Sequence, residues 1–407
     1  MIDRRGILVG AGAAALIGGG GARAAGLDAF RPGEVWNDTK GVAINAHGGG
    51  LLRHGGRWWW HGEHKTEGEG GNTALVGVHA YSSADLVNWR DEGVALSVSD
   101  DPASPIARGC ILERPKVVYN PRTRKFVMWF HLELKGRGYG AAQAGVAVAD
   151  RPQGPFRFLH AGRVNPGIWP ANATAEDKAP GTILARDFPG GQMARDMTVF
   201  VDGGTAWHIY ASEENATLQI ARLAPDWTRH DGYYVRALPD GGNEAPALFK
   251  AKGRYYMFAS GLTGWRPNPG RVYVADAVTG PWRSLGNPVR GSEVDRKTTF
   301  HSQSTFVLPL PPERAGGRAA LHLHGGSLAA GKCDRRALCL AAGGMGGRDA
   351  GPALAGSLDA GGWVEGQVTP PAVQPERSRR PRDSLRGQAR NMRFDFAQRE
   401  RVGRHKK

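Results

Sequence analysis

Four times along the chain the same two-part unit recurs, and that repetition leaves few folds open. The first part is an aromatic, strand-like segment entered from a turn, at 57–63 (RWWWHGE), 125–131 (KFVMWFH), 206–212 (AWHIYAS) and 254–260 (RYYMFAS). Aromatic and β-branched residues fill these segments, as a pleated, half-buried surface requires. The second part is a strand that ends in Asp, then a short turn and an aromatic: Asp85 with Trp89, Asp150 with Phe156, and Asp276 with Trp282, with 218–226 and Trp227 as a looser third copy. The turns Gly154-Pro155-Phe156 and Gly280-Pro281-Trp282 match closely. A unit of this size cannot bury its apolar face alone, and several stacked copies can. An all-β fold follows, with blades of a propeller favoured over a sandwich.

Composition agrees with many short strands. The 407 residues include 60 Gly and 26 Pro, which favour turns over long helices, and 12 Trp to fill a core. Cys110, Cys333 and Cys339 are the only cysteines and no C-x-x-C is present, which argues against both a disulfide scaffold and a zinc site. Downstream of the N-terminus no apolar run is long enough to span a bilayer. Arg4-Arg5 stand ahead of a Gly/Ala-rich apolar stretch, and Ala22-Arg23-Ala24 forms an A-x-A cleavage site. Residues 1–24 are therefore expected to be a twin-arginine export signal, with the mature chain periplasmic or secreted. The net charge of +15 would point to nucleic acid if it were spread over the fold. It is not: 313–407 hold 18 Lys/Arg against 9 Asp/Glu, so +9 of it lies there, and no nucleic-acid partner is expected.

In a propeller the innermost strands run toward the mouth of the central channel, so a polar residue at the start of such a strand is a candidate site residue. Glu244 leads straight into the apolar run 245–249, Asp196 precedes 197–200, and Glu113 heads 113–119 (ERPKVVY). A carboxyl held against apolar walls, with a second carboxylate nearby, has its pKa raised and can serve as a general acid. Trp58, Trp59 and Trp60 alternate across a strand, so at least one belongs to the core. Asp38 and nearby carbonyls are the nearest approach to a cation site, without the ligand spacing of one. No cofactor or metal is expected.

A series of segments in order makes the resemblance specific: 43–50 (AINAHGGG), 60–65 (WHGEHK), 110–119 (CILERPKVVY), 130–142 (FHLELKGRGYGAA), 211–217 (ASEENAT), 244–250 (EAPALFK), 260–265 (SGLTGW) and 300–305 (FHSQST). Together they resemble the exo-β-1,3-galactanase branch of glycoside hydrolase family 43 over roughly residues 34–310. The resemblance implies a five-bladed β-propeller, here 25–312, that releases terminal galactose from β-1,3-galactan or arabinogalactan-type chains with inversion. It implies Glu244 as general acid, Asp196 as the residue that tunes and orients it, and Gln303 as the residue that positions water. Glu63, Glu113, Tyr139, Asn215 and Thr263 would hydrogen-bond the terminal galactose. Trp265 could stack on a sugar face. Many family members place an Asp base near the first strand, and here 45–47 read Asn-Ala-His. His47 is thus a rival for the water-side role, against a structural place in a glycine turn. A family 43 arabinofuranosidase or xylosidase, and a non-catalytic carbohydrate-binding protein, are the alternatives.

After Leu310 the pattern stops. A fifth blade needs another aromatic strand, yet 316–362 are rich in Ala, Gly, Arg and Leu. Back-translated and read one base later, 321–328 (LHLHGGSL) can yield Ile-Tyr-Met-Ala-Asp-Arg-Trp and 336–342 (RALCLAA) can yield Gly-Arg-Tyr-Val-Trp-Leu-Pro. Both are strands of the missing kind, in the same phase. The expectation is a fifth blade missing or disrupted, and a discordant, frame-shifted and largely disordered tail at 313–407.

Overall fold

The aromatic segments become the second strand of successive blades, and the Asp-ending segments the third. In this computed structural model the first sheet is β1 (His47–His54), β2 (Arg57–Lys65), β3 (Leu75–Ser83) and β4 (Arg90–Ser97). The second is β5 (Ile111–Asn120), β6 (Lys125–Glu133), β7 (Gln143–Ala149) and β8 (Arg157–Gly162). The third is β9 (Met197–Asp202), β10 (Thr205–Ser212), β11 (Thr217–Leu223) and β12 (His230–Leu238); the fourth is β13 (Glu244–Ala251), β14 (Arg254–Ser260), β15 (Arg271–Ala275) and β16 (Arg283–Gly286). A fifth sheet holds three described strands, β17 (Ser302–Leu310), β18 (Ala320–Ser327) and β19 (Leu338–Ala341). Every sheet is an antiparallel meander. The structure describes residues 35–310 except Glu69 and Trp265, together with 320–327 and 338–341. The export signal at 1–24, Trp265 and most of the 313–407 tail therefore lie outside the described residues. Notably, β18 and β19 fall on the two segments that back-translation picks out.

The inner strands close a ring: β1 touches β5, β5 touches β9, β9 touches β13, β13 touches β17, and β17 returns to β1. This is the five-bladed propeller, with four blades of four strands and a fifth that has three strands among the described residues. The core sits in the seams between blades. Val78, Ala80 and Leu96 pack on Leu112, Phe126 and Phe130 in the first seam, and Trp129 and Val146 on Tyr210 and Tyr234 in the second. Trp58, Trp59 and Trp60 are all buried; Trp58 and Trp60 share a cluster with Trp89 and Leu308 that joins the first blade to the fifth. Trp89, Phe156 and Trp227, the aromatics that follow the Asp turns, are buried as well. Among the described residues no helix is long and apolar enough to cross a membrane.

One local device repeats where the inner strands meet the pocket. The pairing register shifts between His47 and Gly50 in β1, between Glu113 and Lys116 in β5, and between Glu244 and Ala247 in β13. In each bulge the residue after the polar one is left-handed: Gly48 at φ 62°, Arg114 at 56° and Ala245 at 53°. A non-glycine residue costs roughly 1–2 kcal/mol there. Pro115 and Pro246 follow directly, and a bulge is where an inner strand can accommodate a residue without an N–H. The turned backbone gains new partners: Arg114 N donates to Glu63 Oε1 (3.0 Å) and Ala245 N to Asp196 Oδ2 (3.1 Å). Each is a charge-assisted bond to a carboxylate on the preceding blade. Gly48 has a different reason to be glycine, since a Cβ there would lie 2.3 Å from Glu63 Oε1.

Candidate active site

Five inner-strand entrances supply the pocket: His47 on β1, Glu113 on β5, Asp196 just ahead of β9, Glu244 on β13 and Gln303 on β17. Arg114 binds several of these together. Its guanidinium donates through Nε to Asp196 Oδ1 and through Nη2 to Asp196 Oδ2, both at 3.1 Å, and also reaches Gln303 Oε1 and Ser304 O. Burial opposes the charge on Arg114, but Asp196, Glu63 and Glu113 outweigh it and hold the guanidinium protonated. Gln303 is fixed at both ends of its amide, because Nε2 donates to Ser260 Oγ at 2.7 Å. Ser260 in turn pairs with Glu244 across β13 and β14.

Glu244 has little to neutralise it. Its Oε1 accepts from Asn215 Nδ2 at 2.8 Å. Burial and the nearby Asp196 carboxylate push its carboxyl up to about 7, against the opposing pull of Arg114 and Asn215. Asn215 closes a run of three left-handed residues, Glu213, Glu214 and Asn215. That strained turn is anchored by Glu213, which takes both Arg236 Nε (2.9 Å) and Arg236 Nη2 (2.8 Å).

Glu63 lies in the opposite environment. Burial would raise its carboxyl, but Lys65 Nζ at 2.7 Å and His47 Nδ1 at 3.3 Å hold it far below the usual range. Lys65 also donates to Asn72 Oδ1 at 2.7 Å, and Asn72 Nδ2 lies 2.8 Å from Glu113 Oε1 and 2.7 Å from the Tyr139 hydroxyl. Tyr139 donates to the same Glu113 oxygen at 2.8 Å. Although Tyr139 is 41% exposed, desolvation of its hydroxyl and the Glu113 carboxylate raise the phenol well above its ordinary range, so it stays a donor. Behind Glu113, His131 Nδ1 faces Oε2 at 3.1 Å. Lys116 is buried with Nζ on Gly48 O (3.0 Å) and Arg114 O (3.2 Å), and burial together with Arg114 drives its amine down to about 7.

Glu113, His131 and Asp196 bring one donor atom each within 4.8 Å of one another. Both ring nitrogens of His131 already face carboxylates, however, at Glu113 and Glu133. In this structure the trio is held by ion pairs, His131 with Glu113 and Asp196 with Arg114. Asp38 caps a turn, accepting from Lys40 N and Val42 N at 2.8 and 2.9 Å. Asn45 is tied at both ends of its amide to the Lys65 backbone, so this position supplies no base to the pocket.

Thr263 and Trp265 are the other two expected sugar contacts. Thr263 spends its hydroxyl inside its own loop, donating to Arg266 O and accepting from Asn268 Nδ2 at 2.7 Å. Trp265 is not among the described residues.

The chain matches the model of glycosyl hydrolases family 43 over residues 70–307. It belongs to that family. Among solved structures it is similar to a family 43 β-1,3-galactosidase solved with galactodeoxynojirimycin, at 46% identity and TM-score 0.70, covering 75% of this chain and 93% of that one. It is similar to an exo-β-1,3-galactanase from Clostridium thermocellum at 31% identity and TM-score 0.61, covering 76% and 64% of the two chains. An exo-β-1,3-galactanase from Phanerochaete chrysosporium solved with β-1,3-galactotriose matches at 30% identity and TM-score 0.59, covering 73% and 60%. Comparison with curated protein sequences finds no match.

In this family 43 hydrolase the cluster also contains Lys65, Asn72, Arg114, Lys116, His131, Glu133 and Ser260, which no motif singles out. A signal for two of them is present. Arg114 and Lys116 stand inside an otherwise apolar strand, 111–119, where buried charge is expensive unless paired.

Proposed function

We propose that the protein is an exo-acting hydrolase that releases terminal galactose from β-1,3-galactan with inversion at the anomeric carbon. The observation that carries the mechanism is the Glu244 carboxyl, raised to about 7 by burial and by Asp196. A group with that pKa is substantially protonated at neutral pH and can still give up its proton, which is what general-acid catalysis of glycosidic cleavage requires. Asp196 acts on Glu244 by its charge and by holding the Ala245 N–H beside it. Across the pocket Gln303 orients the attacking water, its amide kept in place by Arg114 and Ser260. A neutral amide is a poor base, so the water's proton leaves through an imidic-acid tautomer of Gln303 or a relay. Glu63, Glu113, Tyr139 and Asn215 hold the sugar's hydroxyls. The substrate class follows the resemblance to the β-1,3-galactosidase and the two galactanases.

Glu244→Gln tests the assignment. Turnover of β-1,3-galactan should fall by about four orders of magnitude, the scale of losing the acid and its proton together. Galactose binding, measured by calorimetry, should persist. Near wild-type turnover in that variant would sink the role given to Glu244. Release of arabinose or xylose from nitrophenyl glycosides, with none of galactose from galactan, would overturn the substrate.

A further inference from the structure

Glu113 is held from behind by a residue that the proposed mechanism does not use. His131 on β6 is buried, with Nδ1 facing Glu113 Oε2 at 3.1 Å and Nε2 facing Glu133 Oε1 at 2.9 Å. A neutral imidazole donates from one nitrogen only, so satisfying both carboxylates requires the doubly protonated ring. Glu133 carries the connection onward, since its Oε2 accepts the backbone N–H groups of Ala141 (2.7 Å) and Ala142 (2.9 Å). Those residues end the β6–β7 loop that bears Tyr139, whose hydroxyl returns to Glu113 Oε1 at 2.8 Å. The circuit is closed: Glu113, His131, Glu133, the backbone at 141–142, Tyr139, and Glu113 again.

We propose that His131 is a positioning residue of the hydrolase site. Through its two ring N–H groups it fixes the Glu113 carboxylate and, by way of Glu133, the loop that presents Tyr139, and so sets how tightly the terminal sugar is held. The inference rests on the reading of Glu113 and Tyr139 as sugar ligands. The titratable groups facing the ring are Glu113 from β5, Glu133 from its own strand, Tyr139 from the loop, and Asp196 ahead of β9, itself paired with Arg114. Burial disfavours the imidazolium, but the bonds to Glu113 and Glu133 more than offset it, and the ring titrates at about 9. At neutral pH this cation offsets the Glu113 charge, which otherwise acts to raise Glu244.

His131→Asn removes the charge and the link to Glu133. The expected result is a KM for β-1,3-galactan oligosaccharides raised roughly tenfold with kcat changed far less, as loss of a ground-state contact predicts. The alkaline limb of kcat/KM should also move to higher pH, a shift that a purely structural residue would not cause. Glu133→Gln keeps an oxygen for Ala141 and Ala142 and should move both quantities in the same directions by less; it decides the matter if the first variant does not fold. The direct readout is 15N NMR of the wild-type imidazole, with both nitrogens protonated at pH 7. A neutral ring at pH 7, or a folded variant with unchanged KM and alkaline limb, overturns the proposal. Wild-type protein that fails to release galactose would instead remove the substrate reading, while the NMR result still decides the state of His131.

Discussion

Glu63 and Glu244 are the same residue type in one site, and the two sides of the propeller shift their carboxyls in opposite directions. Glu63, on the first blade, has Lys65 at 2.7 Å and His47 at 3.3 Å, and is driven far below the usual carboxylate range against the effect of burial. Glu244, on the fourth, accepts from the neutral Asn215 amide at 2.8 Å, has a second carboxylate nearby, and rises to about 7 against the weaker pull of Arg114. Burial acts in the same direction on both, so counter-charge makes the difference. Arg114 could have cancelled it. Instead its fork is committed to Asp196 and Gln303, which leaves Glu244 without a cation of its own.

The most direct way to break that contrast is Arg114→Leu. Asp196 would keep the Ala245 N–H but lose its charge partner in a buried site, and breaking such a pair costs about 3–5 kcal/mol. Chemical denaturation should show that loss. Turnover should fall about a thousandfold, because Gln303 loses a donor and Glu244 moves further up in pKa. A variant with wild-type stability would show that Asp196 does not depend on Arg114.

The stability of Glu244→Gln sharpens the contrast next. A carboxyl raised from 4.5 to about 7 on folding stabilises the fold fully only below its unfolded pKa, and that contribution is lost as pH rises through about 7. Wild type and variant should therefore be equally stable near pH 4. By pH 8 the inactive variant should be the more stable, by up to about 3 kcal/mol. Denaturant midpoints measured across that range check it; parallel curves would mean that Glu244 is not held protonated by the fold.

The sequence made the blades legible because strand composition and the Asp-turn-aromatic signature are local properties. It also marked Glu113, Asp196 and Glu244, since an acid at the head of an apolar strand stands out against its surroundings. Arg114 was harder to assign because its partners Asp196 and Gln303 lie 82 and 189 residues away, brought close only by ring closure. The inner-strand bulges had a local signal, the Glu-x-Pro pattern at 113–115 and again at 244–246, and it gained meaning once both prolines proved to sit in register shifts. Thr263, expected among the sugar ligands from the resemblance, also bonds within its own loop to Arg266 O and Asn268 Nδ2, contacts that no motif announces.

Lys65→Met acts on the other member of the pair. Without its nearest cation Glu63 should rise into the measurable range, and an acid limb absent from the wild type should appear in kcat/KM above pH 4. Galactose affinity should weaken about tenfold at pH 5 and less at pH 8, where Glu63 is ionised again. Calorimetry at the two pH values checks the sign; an equal loss at both would mean that Lys65 contributes a contact and not a charge.

The smallest effect tests the single polar bond on Glu244. Asn215 sits at φ 65°, so an alanine there would combine loss of the amide with left-handed strain. Asn215→Gly removes the amide and leaves the backbone at ease. The Asn215 N–H favours the ionised form of Glu244, so its loss should move the alkaline limb of kcat upward by about half a pH unit. The sign is the informative part. A downward shift would mean that the Asn215 amide accepts through Oδ1 from a protonated Glu244 and so favours its neutral form, and the contrast with Glu63 would then rest on hydrogen bonding more than on missing counter-charge.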